Sequence, residues 1–222
     1  MMRAMILAAG KGERMLPLTQ NTPKPLLKVH GKPLIEYHLE NLVSAGYQDI
    51  VINHARLGEK IEAYLGDGER FGASITYSAE GVEPLETGGG IYRALPLLGG
   101  EPFLAVNADI WTDYPFAGLI NLKPVLAHLV MVENPVHNPG GDFVLDENII
   151  CESEGNKYTF AGIGIYNPSL FKTINQEKFP LAPLLRQAIT TGKVTGELYT
   201  GQWIDIGTPE RLREINQLHE SK

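Results

Sequence analysis

Two stretches of the chain carry residue types suited to holding phosphates. The first runs Leu7-Ala8-Ala9-Gly10-Lys11-Gly12-Glu13-Arg14-Met15-Leu16-Pro17. Small residues and two glycines after a short apolar run let the backbone come close to a ligand. Successive N–H groups in such a turn form an anion nest. Arg14 adds a guanidinium fork for phosphate oxygens. The second stretch is Thr22-Pro23-Lys24-Pro25-Leu26, where two prolines limit how far the backbone around Lys24 can wander. A lysine preset near a triphosphate stabilises charge in phosphoryl-type transfer. Taken singly, the glycine pair is also a common tight turn, and Lys24 is also a solvated surface side chain. Two other phosphate motifs are excluded. Arg14-Met15 stands where the dinucleotide fingerprint needs its third glycine, and no Gly-Lys-Ser/Thr completes a Walker A loop. A nicotinamide-dependent oxidoreductase is disfavoured for the same reason.

The apolar pattern predicts the elements that must carry these loops. A buried strand is expected at residues 4–8. A helix follows from Leu34, with apolar positions at Leu34, Tyr37, His38, Leu42 and Ala45 and a stop at Gly46. Strands at 50–53, 74–78 and 103–107 then alternate with helices at 58–65 and 88–97, the last opened by three glycines. Such alternation means βαβ units in a largely parallel sheet, with right-handed crossovers placing the loops after the strands on one rim. The second half changes character, with strands at 127–132, 142–145 and 159–166 and helices at 181–190 and 209–219. The expected fold class is α/β: a Rossmann-like, mixed, largely parallel sheet flanked by helices, in a single domain over residues 1–222.

Charge and composition narrow the function classes. A net charge of −7 leaves no general basic face for nucleic acid, though a few placed cations suffice for one nucleotide. No apolar run reaches bilayer length, and the short N-terminal apolar run lacks the features of a signal peptide. Cys151 is the one cysteine, so no intrachain disulfide can form. These features predict a cytoplasmic protein with no membrane attachment. His30, His54, His128 and His137 have no metal-ligand spacing, Cys151 has no histidine partner, and nothing suggests an obligate protein partner.

The order Gly-x-Gly-x-Arg-Met-x-Pro-Leu-Thr and then Thr-Pro-Lys-Pro-Leu resembles the N-terminal motif of the sugar-1-phosphate nucleotidyltransferase family. Pro84-Leu85-Glu86-Thr87-Gly88-Gly89-Gly90 resembles the family's second glycine loop, which borders the base. Asn107-Ala108-Asp109 and Trp203-Ile204-Asp205-Ile206-Gly207-Thr208-Pro209 resemble the segments that carry its metal carboxylates. The resemblance implies a nucleotidyltransferase fold of GT-A-like type. Its nucleotide-binding half would run to about residue 110, and a sugar-binding lobe would occupy about 111–222. A nucleoside triphosphate and a sugar 1-phosphate are the implied substrates and Mg²⁺ the implied cofactor. Lys24 and Arg14 would stabilise charge. Ala8, Gly10, Lys11, Gly12, Glu13, Glu80, Glu83 and Gly88 would border the nucleotide. Asn107, Gly141, Glu154, Gly162 and Ile163 would border the sugar. Asp109 and Asp205 would hold Mg²⁺, whose preference for hard oxygens, waters and substrate phosphates makes two carboxylates enough. Read without the family, Asp109 is equally a helix cap and Asp205 a turn residue.

Within the family, Glu86-Thr87-Gly88-Gly89-Gly90, Asn138-Pro139-Gly140-Gly141-Asp142-Phe143 and Leu181-Ala182-Pro183-Leu184-Leu185-Arg186 are most similar to one group. These are short bacterial uridylyltransferases acting on N-acetylmuramate 1-phosphate in peptidoglycan recycling, which lack an extra C-terminal domain. Short mannose-1-phosphate guanylyltransferase-like chains share much of the pattern. A noncatalytic nucleotide-sugar sensor is a remote alternative. One departure stands out: no Glu-Lys-Pro segment is present to place a lysine by the sugar phosphate, and Lys157 falls outside that pattern.

Overall fold

A computed structural model describes residues 2–217. In chain order its strands and helices are β1 (Ala4–Leu7), β2 (Lys28–Val29), β3 (Lys32–Pro33), α1 (Leu34–Ser44), β4 (Asp49–His54), α2 (Gly58–Leu65), β5 (Ser74–Ala79), α3 (Glu86–Leu98), β6 (Phe103–Asn107), β7 (Ile110–Thr112), β8 (Ala127–Val132), β9 (Phe143–Asp146), β10 (Ile149–Cys151), β11 (Lys157–Tyr166), α4 (Leu181–Ile189), β12 (Val194–Tyr199), β13 (Trp203–Asp205) and α5 (Pro209–Gln217). The expected end of the last helix, at residues 218–219, lies outside the described residues.

Nine strands form one sheet in the order β5-β4-β1-β6-β11-β8-β12-β10-β9. The pairs β4–β5, β1–β4 and β1–β6 are parallel, as the alternating first half predicts. Beyond β6 the sheet is mixed. β11 runs antiparallel to both β6 and β8, and β8 is parallel to β12. The parallel character therefore holds for the first half and not for the sheet as a whole.

Residue parity along each strand sorts the core into two layers. Ala4 and Ile6 of β1 face the layer with Ile35, Leu39 and Leu42 of α1 and Ile61 of α2. Met5 faces the other layer with Ile91 and Ala94 of α3 and Leu181 and Leu185 of α4. The central strands are apolar on both sides because helices cover both faces. A third cluster joins Met15, Val29, Leu34, Ile206 and Ile215. It ties the loop carrying Arg14 to the segment carrying Asp205. No helix among the described residues is long and apolar enough to cross a membrane.

From β1 the chain adds β4 and β5 on one side, then returns through α3 to place β6 on the other. That reversal opens a crevice at the carboxyl end of β1, where open α/β sheets take their ligands.

Candidate functional site

Four strand ends meet at this crevice. Leu7, Ala8, Ala9 and Gly10 at the end of β1, Asn53 near the end of β4, Glu80 after β5, and Asn107, Ala108 and Asp109 at the end of β6 line one cleft, with Lys24, Pro25, Pro84, Glu86 and Thr87. A buried network fixes its floor. The Ala8 N–H donates to Asn53 Oδ1 at 2.9 Å, and Asn53 Nδ2 donates to Glu80 Oε1 at 2.5 Å. Glu80 Oε2 accepts from the Leu85 N–H at 2.7 Å. Both Glu80 oxygens are thus engaged within the protein, and the Ala8 amide is not free for a ligand. Sequence reading missed Asn53, although a polar residue ending the run Ile50-Val51-Ile52 carries the same signal as Asn107 ending β6.

The glycines divide by what their missing side chains allow. A Cβ on Gly10 would meet nothing within 4 Å, so its bareness serves the cleft. Gly12 has φ +68° and starts the short 3₁₀ turn Glu13–Met15, and its carbonyl accepts from Thr19 Oγ1 at 2.7 Å. Gly88 and Gly89 answer to packing. Their Cβ atoms would lie 2.4 Å from the Phe179 ring and 2.2 Å from the Glu177 carbonyl. Gly88 is one residue inside α3 from Thr87, buried, and absent from the cleft lining. Lys11 and Glu83 join the two loops through an exposed ion pair of 2.9 Å. Their shared hydrogen bond is the main cause that holds the Glu83 carboxyl below its ordinary range and the Lys11 ammonium above it. Glu13 is exposed.

Lys24 is not a surface lysine. The turn Lys24–Leu26 buries it to 9% exposure and aims Nζ at Asp109 Oδ2, 2.7 Å away. Asp109 sits in the turn from β6 to β7. Beneath it, buried His38 of α1 donates from Nε2 to the Ile110 carbonyl at 2.9 Å. Burial pushes the His38 imidazole down to about 4, so the ring is neutral near pH 7.

A second cavity adjoins the first and shares Asn107 and Asp109 with it. Arg14, His137, Asn138, Thr159, Gly162, Trp203 and Asp205 are among its walls. β13 pairs antiparallel with β7, setting Asp205 opposite Ile110. The Ile206 N–H donates to the Asp109 carbonyl at 2.8 Å, which brings the two aspartates' segments side by side. Asp205 Oδ2 accepts from Arg211 Nη1 at 2.6 Å, and His137 Nε2 lies 3.2 Å from the same oxygen. Asp205 Oδ1 is buried with no hydrogen-bond partner. An orphaned carboxylate oxygen beside a second carboxylate suits a hard divalent cation. No group of three or more His, Cys, Asp or Glu side chains with metal-holding geometry occurs among the described residues.

The sugar-side expectations divide. Gly162 lines the second cavity at φ +74°, inside the register shift of β11 between Phe160 and Gly164, and its Cβ would strike Asn107 Nδ2 at 2.5 Å. Ile163 does not reach the cavity with its side chain. Strand parity turns it into the core, fully buried and paired with Val106. Gly141, at φ +60°, is explained by the approach of its turn to Lys157, whose backbone would lie 2.8 Å from a Cβ. Glu154 stands exposed in the turn between β10 and β11 and lines neither cavity, because β10 belongs to the outer end of the sheet. Lys157 faces a separate groove with Gly140 and Gly155. Arg14 and His137 are the basic side chains lining the second cavity among the described residues. Sequence reading missed His137 and Arg211, because His137 comes from the loop after β8 and Arg211 from α5, and only the fold brings both to Asp205.

Comparison with known proteins gives three findings. The family described as nucleotidyl transferase matches residues 3–140. N-acetylmuramate alpha-1-phosphate uridylyltransferase of Neisseria meningitidis serogroup B is 52% identical, covering 98% of this chain and 98% of that protein, and the protein of the same name from Caulobacter vibrioides is 32% identical, covering 93% and 92%. Among solved structures, a putative glucose-1-phosphate thymidylyltransferase from Bacillus anthracis superposes with a TM-score of 0.86 at 22% identity, covering 100% of this chain and 96% of that one.

Proposed function

Since the chain belongs to the nucleotidyl transferase family, we propose that it transfers UMP from UTP to N-acetyl-α-muramate 1-phosphate, giving UDP-N-acetylmuramate and pyrophosphate. The observation that carries the choice of substrates is the 52% identity to a named uridylyltransferase over 98% of both chains. The geometry supports a transfer reaction of this kind. Two cavities meet at Asn107 and Asp109, one for each substrate, so the transferred phosphorus belongs at their seam.

In this reading the half before about residue 110 holds the triphosphate and base, and the remainder holds the sugar. The triphosphate lies over residues 8–14, where bare Gly10 admits it, and the base lies near residues 80–88. A sugar-phosphate oxygen attacks the α-phosphorus in line. The bond from that phosphorus to the bridging oxygen of the β-phosphate breaks, and pyrophosphate leaves with the electron pair. A phosphate dianion is already a nucleophile, so the protein needs no general base and must instead align and neutralise two polyanions. Lys24 lies at the seam and can donate to the phosphate oxygens there. Arg14 reaches the same region from the wall of the second cavity. Asp109 and Asp205 would hold Mg²⁺, which when bound neutralises phosphate charge and polarises the reacting phosphorus. The product would serve peptidoglycan recycling in the cytoplasm.

The test compares kcat/KM for UTP with N-acetylmuramate 1-phosphate against GTP with mannose 1-phosphate, under one set of conditions and read by pyrophosphate release. The first pair is expected to be preferred. Preference for the second would replace this substrate assignment with the guanylyltransferase reading.

A further inference from the structure

Four non-glycine residues among those described have positive φ: His30, Leu57, Glu86 and Glu147. Glu86, at φ 63°, lines the nucleotide cleft, and the other three line none of the cavities described above. L-residues adopt this conformation at a cost, and strain of this kind gathers at ligand sites. The position asks for glycine, and three glycines follow one residue later in Gly88, Gly89 and Gly90, yet a glutamate stands here. Its side chain is exposed and makes no hydrogen bond or ion pair with any other described residue. Of the two other carboxylates lining the cleft, Glu80 has both oxygens engaged by Asn53 and Leu85, and Asp109 has its Oδ2 engaged by Lys24. Among the described residues, Glu86 is therefore the carboxylate lining the cleft with neither oxygen engaged, held there against the preference of its own backbone.

We propose that Glu86 is a specificity-determining residue whose carboxylate accepts a hydrogen bond from the nucleoside of the incoming triphosphate. The inference rests on the proposed function, which places the base beside residues 80–88. A carboxylate is an acceptor alone and repels phosphates. Its partner must be a donor on the nucleoside, either the imino N–H of the base or a ribose hydroxyl. The segment's place on the base side of the cleft favours the imino N–H.

The test measures UTP binding by calorimetry, without sugar phosphate, for the wild-type protein, Glu86→Gly and Glu86→Gln. Glycine relieves the strained φ, so Glu86→Gly should melt no lower than wild type. A charged hydrogen bond lost on binding corresponds to a Kd for UTP raised about tenfold or more. Glu86→Gln keeps a neutral acceptor and should fall between. Two analogues then locate the donor. If N3-methyluridine triphosphate abolishes the difference between wild type and Glu86→Gly, the base supplies it; if 2′-deoxyuridine triphosphate does so, the ribose supplies it. Either supports Glu86 as a nucleoside contact, and the first is expected. Equal UTP affinity in wild type and Glu86→Gly overturns the inference and leaves the uridylyltransferase reading standing. No UTP binding by the wild type overturns both.

Discussion

Lys24 and Gly10 show how single residues bear on the chemistry. Lys24 Nζ is 2.7 Å from Asp109 Oδ2, and the Asp109 side chain is 37% exposed. Loss of the lysine leaves a carboxylate that water can reach, so Lys24→Ala should fold with little loss of stability. Its turnover should fall by two to three orders of magnitude, on the order of the 3–4 kcal/mol carried by one preorganised charge contact. A thermal melt and kcat/KM, measured together, check both halves, and wild-type kcat/KM would remove Lys24 from the mechanism. Gly10→Ala makes the complementary case. Its Cβ meets no protein atom within 4 Å. Stability should stay within about 0.5 kcal/mol, whereas KM for the triphosphate should rise because the new methyl enters the space proposed for the ligand. Unchanged KM would mean that the bare glycine serves only the turn. The aspartates are separable from both. Asp109→Asn and Asp205→Asn each keep an oxygen and lose a charge, so activity should require more Mg²⁺. A Mg²⁺ titration that superposes on wild type would make that aspartate structural.

At the scale of elements, α3 shows why a glycine run is ambiguous in sequence. The run Gly88-Gly89-Gly90 announces a close approach and does not say to what. The structure answers with Phe179 for Gly88, the Glu177 backbone for Gly89, and Glu80 with Asn53 for Gly90. The helix is thus pressed onto the segment before α4 and onto the cleft's buried network. Gly89→Ala should cost on the order of 1–3 kcal/mol, as overpacking against an immovable carbonyl does. Chemical denaturation would measure it, and an undiminished midpoint would show that the 175–180 segment yields. The same ambiguity limited the sugar side. Gly141 and Gly162 both have positive φ, but only Gly162 lines the cavity, and Ile163 is turned inward by strand parity. Strands β1, β4 and β6 were legible because each is an apolar run covered on both faces. β12 was not, because Gly196 and Glu197 interrupt its pattern, and Gly196 exists to let Ile150 and the Leu129 carbonyl approach. The three-residue strands β7 and β13 are too short for any period, yet their pairing is what brings Asp205 to Asp109.

For the whole molecule, the site depends on a stack that runs from α1 through β7 to the turn holding Asp109. His38 is its least conspicuous member: buried, neutral, and bonded to the Ile110 carbonyl. Burial lowers its folded-state pKa from the ordinary 6.5 to about 4. Between these values the unfolded chain binds a proton that the native fold refuses. Stability therefore rises with pH across this window, and acid destabilises the fold. Above about pH 6.5 the residue is neutral in both states and contributes no slope. Below about pH 4 it is protonated in both and the loss is complete. At 1.36 kcal/mol per unit, the lost stability is on the order of 3 kcal/mol, a large share of a typical domain's total. Carboxylates titrate in the lower part of the same window, so the wild-type curve alone does not isolate this residue. His38→Gln keeps an N–H donor for the Ile110 carbonyl and removes the titration. Urea unfolding of both proteins between pH 7.5 and 4 should give curves that diverge only below about pH 6.5, with the wild type losing more. The turn holding Asp109 should loosen in step, seen as faster amide exchange around residues 108–111 in the wild type than in the variant. Parallel unfolding curves would mean that His38 is not the acid-labile element and that the stack holds by packing alone.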